Sequence, residues 1–189
     1  MSREDIPTFE ECKKLYDTPT LRKSWEIIFR KEFGDDITIA WKDDKVSQID
    51  FGSDVLIKTK QGRKYSIDVK GRQPKYLGFK KWTIELVHQH YEDSSKDKWI
   101  RKKEGWLYCS TADYIFYGTA SDNFLEWKEY VGFSLIPFKE EEFKKNISNL
   151  IKVSAVTLFN NCFQVTWNVL MDYDFLKNNA NKFWYWIEQ

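Results

Sequence analysis

The segment TPTLRKSWEIIFRKEFG (18–34) places Leu21, Trp25, Ile28 and Phe29 on one stripe at helical spacing. Thr18 can cap that helix, Pro19 suits its first turn and Gly34 follows its end. The period then shortens to that of strands. ITIAW (37–41) predicts a short strand, and KDDKVSQIDFG (42–52) a polar connector. DVLIKTK and RKYSIDVK, on either side of Gln61-Gly62, predict a hairpin. GRQPKYLGFKK (71–81) is a basic loop punctuated by Gly and Pro, followed by a strand at WTIELVH (82–88). A charged loop over 89–104 and two strands, GWLYC (105–109) and DYIFYG (113–118), come next. PFKEEEFKKNISNLI (137–151) predicts a helix, and KVSAVTLF and CFQVTWNVL two more strands. DYDFLKNNANKFWYWIEQ (172–189) reads equally as a helix or an irregular tail. The fold class this implies is α/β of the α+β kind, a central mixed β-sheet flanked by helices. A single domain with a core at about 18–118, completed by elements from 119–189, accounts for the whole pattern.

Composition narrows the chemistry only a little. A chain of 189 residues buries about 70% of its unfolded surface and needs no covalent staples. Its aromatic content of 17% is high, and core packing is the first account of those rings. Cys12, Cys109 and Cys162 are scattered, which argues against a disulfide framework and a thiolate zinc site and for a reducing, cytoplasmic setting. The start of the chain lacks the apolar core of a signal peptide, and no apolar run approaches the roughly 18 residues of a membrane span. No membrane partner is expected.

Charge matters through its distribution. The net charge is +1, yet residues 58–81 carry nine basic side chains against one acid, Asp68. A second basic cluster is KDKWIRKK (96–103), whereas acids gather in KEEEF (139–143). The denser basic run surrounds YSIDVKGR (65–72), a strand with an acid and a base on one face, although Asp and Lys are both depleted in strands.

The hairpin turn makes a geometric prediction. With Lys60-Gln61-Gly62 as a three-residue loop, Gly62 takes the left-handed position that closes a bulge, and Thr59 pairs with Arg63. Counting outward sets Asp54 opposite Asp68; a two-residue turn would instead set Asp54 opposite Val69. Carboxylates opposed at about 5 Å repel by roughly 3 kcal/mol at an effective dielectric near 20. Lys70 can offset part of this, and a divalent cation with hard oxygen ligands can offset more. A plain salt bridge from Asp68 to Lys70 or Lys64 on an exposed face is the competing reading.

Asp54, a hairpin, and then Asp68-Val69-Lys70 after 13 intervening residues resemble the PD-(D/E)xK nuclease superfamily, the restriction-endonuclease-like fold. The likeness runs over about residues 20–118 as an order of elements: helix, strand, acidic hairpin, strand. It implies a Mg²⁺-dependent phosphodiesterase, a deoxyribonuclease of endonuclease type, with Mn²⁺ able to substitute. It further implies that Asp54, Asp68 and the Val69 carbonyl hold the metal and that Lys70 orients or deprotonates the attacking water. Glu26 is a further acid of the kind such proteins bring from their first helix, with Glu32 and Asp50 as competitors. Glu85, a carboxylate inside an apolar strand, either completes the site or pairs with a loop lysine. Lys58, Arg72, Lys75, Lys80 and Lys81 would hold the nucleic-acid backbone, and Tyr76, Trp82 or Trp99 would contact sugars or bases. DNA is the expected partner, with RNA and branched DNA as alternatives, and a homodimer follows by analogy for an enzyme cutting two strands. A catalytically inactive nucleic-acid-binding module of the same fold is the second reading. His88 and His90 share one side of a strand but lack a third ligand, and the sequence carries no Ser/Cys–His signature or Gly-rich phosphate loop.

Overall fold

In the computed structural model, residues 17–42, 53–91, 99–140, 142–143, 152–159 and 162–188 are described. Helix α1 (Pro19–Phe33) begins where Thr18 accepts a hydrogen bond from the Leu21 N–H, and it buries Leu21, Trp25, Ile28 and Phe29. Strand β1 (Ile37–Trp41) follows, then β2 (Val55–Thr59) and β3 (Lys64–Arg72). The chain continues through β4 (Lys81–Tyr91), β5 (Trp99–Glu104), α2 (Trp106–Cys109), β6 (Tyr114–Ala120) and β7 (Trp127–Ser134). Last come β8 (Lys152–Phe159), β9 (Cys162–Asp172), α3 (Tyr173–Asn179) and β10 (Phe183–Ile187). The class is α+β, with mostly antiparallel pairing.

These strands form two sheets. The first has six strands in the order β1-β2-β3-β6-β7-β10, and its one parallel pair is β3 with β6. The second has four, in the order β5-β4-β9-β8. In the first sheet alternate residues serve different layers. Val55, Ile57, Ile67 and Phe116 pack with the α1 stripe, with Trp25 stacked on Phe29 and Phe116 set edge-on to both. On the other face Ile115, Tyr117, Val131 and Phe133 pack with Trp82, Ile84 and Leu86 of β4, with Val169 and Met171 of β9 and with Leu176 of α3. β6 is therefore buried on both faces, which explains its nearly unbroken apolar sequence.

Several elements depart from expectation. A helix covers one face of the central sheet, but a second sheet with two short helices covers the other. GWLYC is a helical turn, not a strand, since a short apolar run carries no period of its own. The charged stretch 89–104 is partly strand: WIRKKE pairs with β4 as β5, so cross-strand bonding outweighs its polar composition. The C-terminal stretch is neither all helix nor irregular; it gives α3 and then β10, an edge strand of the first sheet. Of the helix expected at 137–151, Ile136–Lys139 forms a 3-10 turn, and most of the remainder lies outside the described residues, as does nearly all of the 42–52 connector.

Candidate active site

The β2–β3 turn sets the geometry. Gly62 sits at φ +81°, its N–H donates to the Thr59 carbonyl, and the Thr59 N–H donates to the Arg63 carbonyl, both at 2.9 Å. This is the three-residue loop with a left-handed glycine that the sequence predicted. Pairing then runs from Lys58↔Lys64 to Val55↔Ile67 and stops there. The expected Asp54–Asp68 pair is not part of the ladder, because the Asp54 N–H donates to the Ile67 carbonyl and Asp54 reaches Asp68 through its side chain instead. Because Ile67 faces the α1 layer, Asp68 and Lys70 point to the opposite face, toward the second sheet.

The ladder ends at Asp54, whose side chain takes over. Continued regularly, the register would bring the Val69 N–H to residue 53. Instead that N–H donates to Asp54 Oδ2 at 2.9 Å, while the Asp54 main chain bonds Ile67 and Lys42. The carboxylate is thus fixed by β3 itself. Asp68 beside it is only 5% exposed. Lys70 donates to Asp68 Oδ1 at 2.8 Å, and its side chain is 36% exposed.

Burial and the adjacent Asp54 push the Asp68 carboxyl from 3.8 up to about 8, against the opposing pull of Lys70. Lys70 is pushed up to about 12 by Asp68, Asp54 and Glu85, which outweigh its own desolvation. Glu85 arrives from β4, beside a bulge between Glu85 and Val87. Gly105 packs directly on that bulge, and a Cβ there would collide with the Glu85 carbonyl oxygen. Next to Lys70 in the β3–β6 register stands Tyr117. Burial, with the charges of Asp68 and Glu85, raises its phenol well above the usual value, so it remains a donor and bonds the Thr83 carbonyl.

The remaining expected residues are distributed unevenly. Glu26 is not brought to the acidic pair; it accepts the Trp41 indole N–H at 3.0 Å on the α1 side of the sheet. Glu32 accepts the Tyr130 hydroxyl. Asp50 lies outside the described residues. Lys58 is exposed on β2, while Lys75, Lys80 and Lys81 are exposed around the β3–β4 loop. Arg72 is turned inward, with Nη1 at 3.9 Å from buried Glu129. Trp82 is a core residue and offers no ring to a ligand. His88 and His90 belong to β4. The sequence reading missed Tyr117 and Glu129. Tyr117 lies in the apolar run YIFYG, and Glu129 follows the charged residues Glu126 and Lys128, so neither stands out as a buried polar group in the sequence.

Compared with known proteins, the chain matches no family model, no curated protein and no solved structure.

Among the described residues no group of three or more His, Cys, Asp or Glu side chains is arranged to hold a metal. A Mg²⁺ ion asks for less, since it is commonly held by one or two carboxylates and keeps several waters. Asp54 and Asp68 fit that need. They are adjacent hard oxygen donors. Among the described residues no helix is long and apolar enough to cross a membrane.

Proposed function

We propose that the chain is a Mg²⁺-dependent nuclease of the PD-(D/E)xK type, with a restriction-endonuclease-like fold, that hydrolyses DNA phosphodiester bonds internally. The observation that carries this reading is the convergence of Asp54, Asp68 and Lys70 on one face of the β2–β3 hairpin. Asp54, Asp68 and the Val69 carbonyl would hold the ion, with Mn²⁺ as a substitute. When bound, it supplies Lewis acidity toward the scissile phosphate.

The chain's own groups do the rest. The Val69 N–H locks Asp54 in place, so the acidic pair is organised before ligand arrives. Lys70, held protonated by its acidic neighbours, acts as a fixed cation that orients water and stabilises charge developing on the phosphate. Its side chain is partly exposed, so a backbone phosphate would approach it from the solvent side. Tyr117, paired with Lys70 across β3–β6, and Glu85 lie close enough to the acidic pair and Lys70 to shape their charge. Exposed Lys75, Lys80 and Lys81, on the stretch that joins β3 to β4, would bind backbone phosphates, so affinity should fall with salt.

Cleavage of plasmid and of short single- and double-stranded DNA, with Mg²⁺ or Mn²⁺, tests the reading. Lys70→Ala and Asp54→Ala should each lower the rate at least about a hundredfold, the scale of losing one preorganised charge contact. Wild-type rates in either variant would refute the assignment.

A further inference from the structure

The same-face row of β3 continues past Lys70 to Arg72, which binds the protein and not solvent. Its Nη2 donates to the carbonyls of Tyr76 and Phe79, at 3.3 and 3.1 Å. The guanidinium lies 5.5 Å from the ring centroids of both Tyr76 and Trp82. Its ion-pair partner Glu129 also receives the hydroxyls of Thr119 and Tyr185 and the N–H of Gly78. Three points of one loop, at residues 76, 78 and 79, are thereby tied from within to a buried ion pair. The loop connects the strand of Lys70 to the strand of Glu85, so it borders the candidate site.

Outwardly this fixed loop exposes apolar surface. Leu77 is 47% exposed and Phe79 48%, and Tyr76 stands beside Phe79 with ring centroids 6.2 Å apart. The Tyr76 ring is already engaged by Arg72 and Lys75, which leaves Phe79 and Leu77 as the presented surfaces. Lys75 precedes them and Lys80 and Lys81 follow, and no acid occurs in the sequence from residue 69 to residue 84. Asp172 stands opposite Lys81 and Glu129 lies beneath Gly78, but the loop's own charges are all cationic. An apolar loop bearing three lysines fits a partner that is itself an anion with flat apolar faces. Unpaired nucleobases on a phosphate chain have that character, whereas a duplex hides its base faces. Holding the loop rigid in advance removes the ordering entropy from the binding step.

We infer that the 73–81 loop is a stacking platform for unpaired bases beside the cleavage site. The substrate is accordingly DNA with a single-stranded segment, an overhang or a branch, and this rests on the nuclease reading above. The test is metal-free binding in EDTA, by fluorescence anisotropy, to a single strand, a blunt duplex and a duplex with an overhang. Wild-type protein should favour the single strand and the overhang. Phe79→Ala should weaken both by about tenfold or more, the effect of losing one stacked base. Blunt-duplex binding should change less than about twofold. Quenching of a 2-aminopurine base in the strand should disappear in Phe79→Ala and persist in Phe79→Trp. Equal losses on duplex and single strand, no loss on either, or a wild type without the preference would each overturn the inference. If such a protein still cuts DNA, the nuclease reading stands alone. If the Phe79-dependent preference is present but no substrate is cut, the nuclease reading falls and the platform remains.

Discussion

At Asp68, burial and the neighbouring Asp54 oppose ionisation while Lys70, 2.8 Å away, favours it, and the balance raises the carboxyl to about 8. The sign of the consequence follows from proton binding. Between the ordinary value of 3.8 and about 8, the folded protein holds a proton that the unfolded chain has released. Stability is therefore lost as pH rises through that window. In EDTA, thermal unfolding should move to lower temperature between about pH 5 and pH 8. Asp68→Asn, which cannot ionise, should flatten that decline. A melting temperature that rises over the same range, or a decline that Asp68→Asn leaves unaltered, would contradict the electrostatic account. Lys70 behaves in the opposite sense: its acidic surroundings keep it charged across the neutral range, which suits a phosphate-facing cation better than a resident base.

The hairpin is the element on which register depends. Gly62 at φ +81° is the residue that lets a three-residue loop close, and through it the strands take the register that ends at Val55↔Ile67, beside Asp54 and Asp68. A side chain there meets open space but an unfavourable backbone conformation. Gly62→Ala should cost about 1 kcal/mol, whereas Gly62→Asn should cost less because Asn tolerates the left-handed region. Urea denaturation checks this through the midpoints at constant slope; equal midpoints for Gly62→Ala and wild type would show that the turn is not strained. This part of the fold was legible because its determinants are local: one glycine, two flanking strands and a count of residues. β5 was not legible, since WIRKKE is strand only by virtue of its pairing with β4. Nor could the sequence assign β4 to a second sheet, because alternation shows that a strand has two faces and not which neighbours it will have. Arg72 looked like its solvated basic neighbours, and the partner that draws it inward, Glu129, comes from β7, far along the chain.

Across the whole molecule, the six-stranded sheet divides labour between its faces. One is sealed by α1 and a dense set of aromatic contacts. The other carries an acidic pair, a lysine and a buried ion pair along β3, with the second sheet packed behind them. Most of the aromatic excess is consumed in these two cores, as the bland reading of composition held, while Tyr76 and Phe79 remain at the surface. The candidate site was readable as a constellation of Asp54, Asp68 and Lys70, and Glu85 because a carboxylate in an apolar strand needs a reason. The inward turns of Arg72 and Glu26 depend on tertiary partners that no spacing rule contains. The central claim is that two carboxylates from neighbouring strands form one cation site at the expense of a proton. Calorimetric titration of Mg²⁺ near neutral pH, in buffers of different ionisation enthalpy, measures both halves at once. The expected result is saturable binding with proton release, lost in Asp54→Ala and in Asp68→Asn. Binding of equal strength in those variants, or no binding by the wild-type protein, would contradict it.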